Sequence, residues 1–250
     1  MSAQERIVVD HVVHAFGGQR VLEGITFGVD RHELLCVVGQ SGCGKTTLLR
    51  IMAGLLRADA GAVLIDGEPI TSPSEKIAMV FQHFGLLPWR TVRANIEYGL
   101  RNRDVRDPER VDRMIETIGL RGAESRFPHQ LSGGMQQRVG LARALAVQPE
   151  VLLMDEPFGA LDAITREQLQ EELLGIWERD TDITGVFITH DVDEAILLGD
   201  RILVLAAGGA SQIIDVPLPR PRTAQDVRAY PDYAELQHKI RGALRFGRPD

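Results

Sequence analysis

The sequence is poor in aromatic residues, cysteine and long apolar runs, and it has no excess of positive charge. Aromatic residues make up 5% of its 250 residues, two residues are cysteines, and the formal net charge is −7. Two cysteines predict no disulfide framework. The best candidate for a membrane-spanning run, Ala195 to Ala207, is interrupted by Asp200 and Arg201. Without a basic stripe, nucleic acid is not expected as a partner.

Two further absences concern targeting and metal sites. Residues 1–6 contain no apolar core of a signal peptide, which predicts a cytoplasmic location. The seven histidines show no metal-ligand spacing. Hydrophobic residues at 44% and charged residues at 25% are ordinary for a soluble globular protein, and the length suits one large α/β domain.

Apolar strands alternate with amphipathic helices along most of the chain. The predicted strands are Ile7–Val13, Ile25–Val29, Leu34–Val38, Ala62–Ile65, Ile77–Phe81, Val151–Met154, Gly185–Thr189 and Arg201–Leu205. The main predicted helices are Val92–Leu100, Pro108–Leu120, Gly133–Ala146, Ala163–Arg179 and Val192–Leu198. This order predicts a parallel sheet covered on both faces. Residues from about 86 to 130 form a helical insertion, and the proline-containing tail from Val216 is expected to wrap around the core.

The run from Gly39 to Thr46 has the spacing of a phosphate-binding loop. It lies between an apolar strand and a helix, so backbone N–H groups and the positive end of the helix dipole converge on phosphate oxygens. Lys45 is expected to reach the β and γ phosphates and Thr46 to bind Mg²⁺. The alternative is a tight glycine turn with a surface lysine. Cys43, beside the helix N-terminus, is expected to have an acidified thiol.

Two acidic residues, Asp155 and Glu156, follow the strand Val151–Met154. Adjacent carboxylates at a sheet edge are costly unless a cation is bound, so Asp155 is expected to hold Mg²⁺ and Glu156 to polarise the attacking water. The alternative is a capping pair at the end of the strand. Gln82 and His190 also follow strands, and each by itself is as compatible with an ordinary loop, capping or surface residue.

A second anion site is predicted at Leu131-Ser132-Gly133-Gly134-Met135-Gln136-Gln137-Arg138, where a Ser-Gly-Gly turn opens a helix. One nucleotide does not need two helix N-termini from distant parts of one chain. Two nucleotides held between two copies of the chain do.

These motifs, together with Gly159-Ala160-Leu161-Asp162 and Thr189-His190-Asp191, occur in the order found in ABC transporter ATPase subunits. The sequence resembles that family over the whole chain to Asp215. The resemblance implies an α/β P-loop NTPase core with a mostly parallel sheet flanked by helices, an N-terminal antiparallel β subdomain and an inserted α-helical subdomain. It also implies an ATPase domain over 1–215, with the insertion at about 86–130, and a C-terminal extension over 216–250.

The resemblance further implies roles for individual residues. Glu156, His190 and Lys45 are the expected catalytic residues, with His190 as the switch, and Thr46, Gln82 and Asp155 are the expected metal-site residues. Ser132 and Gly134 contact the γ-phosphate of the nucleotide on the opposite subunit, Asp162 links the two sites, and Phe16 stacks on adenine unless it is a core-edge aromatic. The full nucleotide-binding set is Phe16, Gly39, Gln40, Ser41, Gly42, Cys43, Gly44, Lys45, Thr46, Thr47, Gln82, Ser132, Gly133, Gly134, Gln136 and Asp162.

Within the family, Leu86 to Val92 and Leu218 to Arg222 resemble the importer group for nitrate, sulfonates and taurine, whereas the turn at 206–210 departs from that group. The implied cofactors are ATP and Mg²⁺. The implied partners are a second ATPase subunit in a head-to-tail dimer, two transmembrane permease subunits and, indirectly, an extracytoplasmic solute-binding protein. The implied location is the cytoplasmic face of the inner membrane. Trp89 is expected either to receive a permease helix or to lie in the core.

Other functions stay open from the sequence. They are an ABC ATPase of DNA repair or translation, an exporter, an importer of an unrelated solute, and a P-loop kinase. The repair proteins carry a long coiled-coil insertion and the translation factors carry two cassettes, and this sequence has neither. A kinase does not need the run Leu131 to Gln137.

Overall fold

The computed structural model describes residues 5–83, 85–159, 161–179, 182–206 and 211–246. Within these ranges the chain forms one four-stranded sheet, one six-stranded sheet and the helices that cover them. The strands are β1 (Glu5–Phe16), β2 (Gln19–Asp30), β3 (Leu34–Gly39), β4 (Ala60–Ile65), β5 (Glu68–Pro69), β6 (Ile77–Val80), β7 (Val151–Asp155), β8 (Thr184–Thr189), β9 (Arg201–Leu205) and β10 (Ser211–Asp215). The helices are α1 (Lys45–Met52), α2 (Val92–Asn102), α3 (Pro108–Thr117), α4 (Gly133–Ala146), α5 (Ala163–Arg179), α6 (Val192–Leu198), α7 (Ala224–Ala229) and α8 (Tyr233–Phe246), with a 3₁₀ turn at Pro128–Gln130.

The smaller sheet is the predicted N-terminal antiparallel subdomain, with strand order β2-β1-β4-β5. Strands β1 and β2 are each twelve residues long and pair as far as Phe16 with Gln19. They extend beyond the predicted Ile7–Val13 and Ile25–Val29 because backbone pairing continues into exposed residues, where no apolar alternation marks it.

The larger sheet has the order β10-β9-β3-β8-β7-β6, and all its neighbouring pairs except β10 with β9 are parallel. All residues of β3 are buried, as a strand covered on both faces requires. Alternate residues of β3 pack on opposite faces. Leu34 and Cys36 join a core formed with α4, α5 and α6, whereas Leu35 and Val37 join a core formed with α1 and the smaller sheet. The predicted α/β class is therefore confirmed.

Helices α2, α3 and α4 share a third apolar core. Its buried residues are Val92, Ile96, Leu100, Val111, Ile115, Ile118, Leu120, Ala123, Leu131, Val139, Ala142 and Ala146. Helix α3 ends at Thr117, three residues before the predicted end, because Gly119 adopts a left-handed φ of 64° that stops the helix. The inserted helical subdomain is thus present, and its core includes the helix that begins after Ser132.

The tail after Asp215 forms α7 and α8 and packs on the larger sheet's core. Val216, Leu218, Val227, Leu236 and Ile240 are buried in that core. The domain boundaries at 86, 130 and 215 stay predictions. The predicted departure at 206–210 falls mostly on residues 207–210, which lie outside the described ranges. In the part of the chain that the structure describes, no helix combines the length and apolarity that crossing a bilayer demands.

Candidate active site

Four parallel strands end at one edge of the larger sheet, and each is followed by a predicted site residue. The register pairs Val38 of β3 with Thr189 of β8, Ile188 of β8 with Asp155 of β7, and Met154 of β7 with Val80 of β6. The phosphate loop, His190, Glu156 and Gln82 therefore begin side by side. Open parallel sheets bind ligands at such an edge.

Three glycines shape the phosphate loop, through left-handed backbone conformations or through close contacts. Gly42 and Gly44 have left-handed φ values of 83° and 97°. A Cβ on Gly44 would lie 2.7 Å from Leu22 Cδ2, and one on Gly39 would lie 2.5 Å from the Leu205 carbonyl oxygen. Helix α1 begins at Lys45, directly after the loop, so its free N–H groups point toward the loop. This geometry suits an anion.

Lys45 is held against the start of the loop. Its ammonium donates to the carbonyl oxygens of Gly39, at 2.8 Å, and Gln40, at 3.0 Å, and the residue is 6% exposed. A lysine is rarely buried this deeply unless its charge is satisfied. The alternative of a surface lysine on a glycine turn is therefore wrong.

Asp155 and Thr46 are in contact beside the loop. The Thr46 hydroxyl donates to Asp155 Oδ1 at 3.1 Å, and Asp155 is 6% exposed. Burial raises the pKa of Asp155, and the neighbouring Glu156 raises it further, whereas the Thr46 hydrogen bond, Arg50 and Lys45 lower it. A divalent cation would offset this cost of the buried charge, and hydroxyl and carboxylate oxygens are the ligands that Mg²⁺ prefers. Among the described residues no group of three or more His, Cys, Asp or Glu forms a complete metal site.

Glu156 and His190 form a contact across β7 and β8. Glu156 Oε2 lies 3.3 Å from His190 Nδ1. Glu156 has a left-handed φ of 43°, which is strained for a residue with a side chain, and its N–H donates to the Ile188 carbonyl at 3.1 Å. This backbone aims the carboxylate out of the sheet edge, toward His190, whose ring is more than half exposed. Carboxylate and imidazole together can accept a proton from a water molecule.

Gln82 lies in an exposed turn after β6, and the same loop is tied to α4. Arg143 Nη1 donates to the Gly85 carbonyl at 2.7 Å. Burial lowers the pKa of Arg143, and the neighbouring Tyr98 acts in the opposite direction. Arg143 was not among the predicted site residues, although a single arginine in the otherwise apolar run Leu141 to Leu145 was a usable signal. It joins the Gln82 loop to the helix that begins after Ser132.

The Ser-Gly-Gly turn opens α4 in the helical subdomain and does not follow a strand of the sheet. Ser132 Oγ accepts the Met135 N–H at 3.3 Å and caps the helix. Ser132 and Gly133 are exposed, while a Cβ on Gly134 would lie 2.4 Å from Thr165 Cγ2. The side-chain amide of Gln136 donates to the Leu131 carbonyl at 3.3 Å. The turn therefore presents a helix N-terminus, capped by Ser132, to solvent and packs against the start of α5.

Asp162 caps that neighbouring helix, α5. Its Oδ1 accepts the Thr165 N–H at 3.0 Å, and this backbone hydrogen bond is the main reason that the pKa of Asp162 is lowered. The carboxylate is exposed, so it stays available to a second chain. Ala160, in the same predicted motif, lies outside the described residues.

Two large aromatic side chains with predicted roles, Phe16 and Trp89, are presented to solvent. Phe16, at the end of β1, is 53% exposed, and its ring packs edge-on against His14 with centroids 4.6 Å apart. Trp89 is 71% exposed, so its assignment to the core is wrong. The turn that carries Trp89 is held by the buried side chain of Asn95, which donates to the carbonyls of Leu87, Arg90 and Thr91. Asn95 was also missed, because a lone amide in an amphipathic helix carries no distinguishing pattern.

The expected acidified thiol of Cys43 is wrong. Burial raises its pKa above the ordinary 9.0, and this effect exceeds the lowering by the Lys45 charge and by backbone hydrogen bonds at the start of α1. Proximity to a helix N-terminus could be predicted from the sequence, but desolvation by the residues packed over the thiol could not.

Comparisons with known proteins identify the family of this chain. Residues 22–159 match the family described as ABC transporter. Nitrate import ATP-binding protein NrtD of Synechococcus elongatus is 44% identical over 239 residues, which cover 92% of this chain and 87% of NrtD. Nitrate import ATP-binding protein NrtC of the same organism is 43% identical over 248 residues. This match covers 94% of this chain but 37% of NrtC, so the chain spans little more than a third of that relative. The dimeric ATP-binding cassette MJ0796, in a post-hydrolysis state with ADP and Pi, superposes with a TM-score of 0.74 at 29% identity, covering 85% of this chain and all of that one.

Proposed function

This chain belongs to the ABC transporter family, as an ATPase with that family's nucleotide-binding fold, and we propose on that premise that it powers an importer of nitrate or a related small solute such as a sulfonate or taurine. The observation that carries the catalytic part is the shared sheet edge, where Lys45, Thr46, Asp155, Glu156 and His190 meet. The solute class is supported by the relatives NrtC and NrtD, which are nitrate import proteins by name.

The phosphate loop and α1 bind the triphosphate of ATP. Backbone N–H groups of Gly42 to Thr46 surround the phosphate oxygens, and Lys45 exchanges its carbonyl partners for the phosphates. Thr46 and Asp155, with Gln82 at the neighbouring strand, would hold Mg²⁺, which would neutralise phosphate charge when bound. Phe16 offers an exposed ring for stacking on adenine.

Glu156 is the general base in this proposal. Its carboxylate orients a water molecule and takes one proton from it as the water oxygen attacks the γ-phosphorus. The bond to the leaving oxygen of ADP then breaks, and inorganic phosphate is released. His190, in contact with Glu156, donates a hydrogen bond to the γ-phosphate and holds the carboxylate in place.

A second copy of the chain completes each site. Ser132 and Gly133 are exposed at the start of α4, where the helix N-terminus suits the γ-phosphate of an ATP bound to the partner subunit. Gly134 allows that turn to pack on α5, and Asp162 at the start of α5 lies next to it. ATP therefore closes a head-to-tail dimer, and hydrolysis reopens it.

The helical subdomain transmits the closing and reopening of the ATPase dimer to two permease subunits. Trp89 offers a large exposed apolar surface on a turn that Asn95 keeps rigid, which suits a helix of a membrane partner. The subunit accordingly works at the cytoplasmic face of the inner membrane, and a separate solute-binding protein delivers the solute on the other side.

The substitution Glu156→Gln tests the catalytic part. It keeps the shape of the side chain but removes the base, so we expect ATP turnover to fall by about 10²- to 10⁴-fold while ATP binding persists and a dimer accumulates. Phosphate release and light scattering with ATP and Mg²⁺ measure the two effects. Glu171→Gln, an exposed position on α5, is the matched control. A monomer at saturating ATP, or parental turnover, would contradict the assignment.

Uptake measurements test the solute. Cells in which the gene is replaced by the Glu156→Gln form should fail to take up isotopically labelled nitrate, while cells with Glu171→Gln should not. The same cells are tested with taurine and an alkanesulfonate. Unchanged uptake of all three solutes would show that the importer carries something else.

A further inference from the structure

The C-terminal helix α8 contacts two elements of the candidate active site. Gln40, the second residue of the phosphate loop, donates from Nε2 to the Leu244 carbonyl at 3.1 Å. Gln237 donates from Nε2 to Asp193 Oδ1 at 2.6 Å. Asp193 lies in the first turn of α6, three residues after His190. One helix therefore reaches both the loop that precedes α1 and the helix that follows His190.

Buried side chains anchor helix α8 in the apolar core, so the residues that make these contacts are held in place. Leu236 and Ile240 are buried in the core of the larger sheet. The Leu244 carbonyl belongs to the last turn of the helix, where carbonyls have no partner within the helix. The Gln40 amide supplies that partner, and the phosphate loop thus caps the end of α8.

The first turn of α6 carries three carboxylates, each held by a different donor. Asp191 accepts the N–H groups of Asp193, at 2.9 Å, and Glu194, at 3.3 Å, and so caps the helix. Glu194 accepts the Gln170 amide of α5 at 2.8 Å. Asp193 accepts hydrogen bonds from two side chains of α8, Gln237 and Tyr233. Because like charges in one turn repel, loss of the Gln237 donor leaves Asp193 less favourably placed.

Helix α6 has unfilled space beside it on the side that bears Asp193 and Glu194. A cavity of about 220 Å³ lies between α5, α6, α7 and α8. Arg166, Gln170, Asp193, Arg228 and Tyr233 are among its lining residues. The Gln170 bond to Glu194 lies beside this cavity, and together with the Gln237 bond to Asp193 it holds the polar side of α6, whereas the apolar side of α6 is buried in the core.

We propose that α8 is a positioning element for ATP hydrolysis, in which Gln237 holds Asp193 and thereby keeps His190 beside Glu156, while the Leu244 carbonyl holds Gln40 at the start of the phosphate loop. The proposal rests on the roles given above to His190 and Glu156. A displacement of about 1 Å at a reacting group lowers a rate by about a hundredfold, so a contact one helix turn from His190 suffices to change turnover without touching the nucleotide.

The test compares three variants of the full chain. Gln237→Leu removes the donor, Gln237→Lys replaces it with another donor to Asp193, and His238→Leu makes a similar change at an exposed neighbour on α8. We expect Gln237→Leu to lower kcat about fivefold with the KM for ATP little changed, since an altered barrier of that size needs only a small displacement. Gln237→Lys and His238→Leu should keep the parental kcat.

The double variant Gln237→Leu with Asp193→Ala distinguishes loss of the Gln237–Asp193 contact from an unrelated loss of folded structure. If both residues act through one contact, the double variant should be as slow as Gln237→Leu alone. Thermal melting shows whether each variant is folded at the assay temperature, and Asp193→Ala provides the same test if Gln237→Leu does not fold. Parental kcat in the folded Gln237→Leu and Asp193→Ala variants, or equal loss with leucine and lysine at 237, would overturn the proposal. A parent that hydrolyses ATP but is not needed for uptake of the tested solutes would refute only the solute assignment.

Discussion

Gly39 occupies a position where the structure allows no side chain, and Gly39→Ala tests that statement quantitatively. The added Cβ would lie 2.5 Å from the Leu205 carbonyl oxygen and 2.5 Å from Cys43 Sγ. The first of these atoms belongs to the backbone of β9, which is paired with β3 and cannot turn away. Overpacking of this kind costs about 1–3 kcal/mol of folding free energy.

The expected change in melting temperature follows from that cost. In a domain of about 150–250 residues, 1 kcal/mol corresponds to about 2–4 °C, so Gly39→Ala should melt about 2–12 °C below the parent. It should also weaken ATP binding, because relief of the clash displaces the start of the phosphate loop. Differential scanning fluorimetry and titration with a fluorescent ATP analogue measure these two effects.

Two further substitutions check the reasoning. Gly242→Ala, in α8, places its Cβ in open space, so it should raise stability by about 0.5–1 kcal/mol through the better helix propensity of alanine. Cys43→Ala removes one of the two clashing atoms and should restore part of the loss in Gly39→Ala. A Gly39→Ala protein that melts with the parent and binds ATP equally well would refute the reasoning, as would an equal loss of stability in Gly242→Ala.

Two predictions concern titratable groups. Because burial raises the pKa of Cys43 above 9.0, its alkylation by iodoacetamide at pH 7.5 should be slower than that of free cysteine, and the rate should keep rising beyond pH 9. Mass spectrometry of the parent and of Cys43→Ser gives the labelling rates. Labelling as fast as that of free cysteine would contradict the expectation. Burial also raises the pKa of Glu194 above 4.5, so its stability contribution is complete below about pH 4.5 and is lost as the pH rises through the folded-state pKa. Glu194→Gln should therefore raise the melting temperature relative to the parent more at pH 8 than at pH 4, and an equal difference at both pH values would rule this out.

Much of the candidate site could be predicted because it lies in loops that directly follow strands. The glycine spacing of the phosphate loop predicts the conformation of that loop. Asp155, Glu156 and His190 each lie at or just after the end of a recognisable buried strand. Parallel strands end at a common edge, so their order along the chain already suggested that these residues meet. Asn95 and Gln237 follow no strand and lie within helices, so nothing in the local sequence marked their contacts, and the apolar run around Arg143 marked that residue but not its partner Gly85.

The sequence by itself determined the α/β class, the phosphate loop, the acidic pair and the second helix N-terminus at Ser132, because each depends on local spacing and on periodicity. Only the tertiary structure decided what surrounds those residues. It placed Thr46 at 3.1 Å from Asp155, exposed Trp89, and seated α8 against both Gln40 and Asp193. It also reversed the expected pKa shift of Cys43, because desolvation depends on every atom packed around the sulfur, whereas the adjacent charge of Lys45 is visible in the linear sequence.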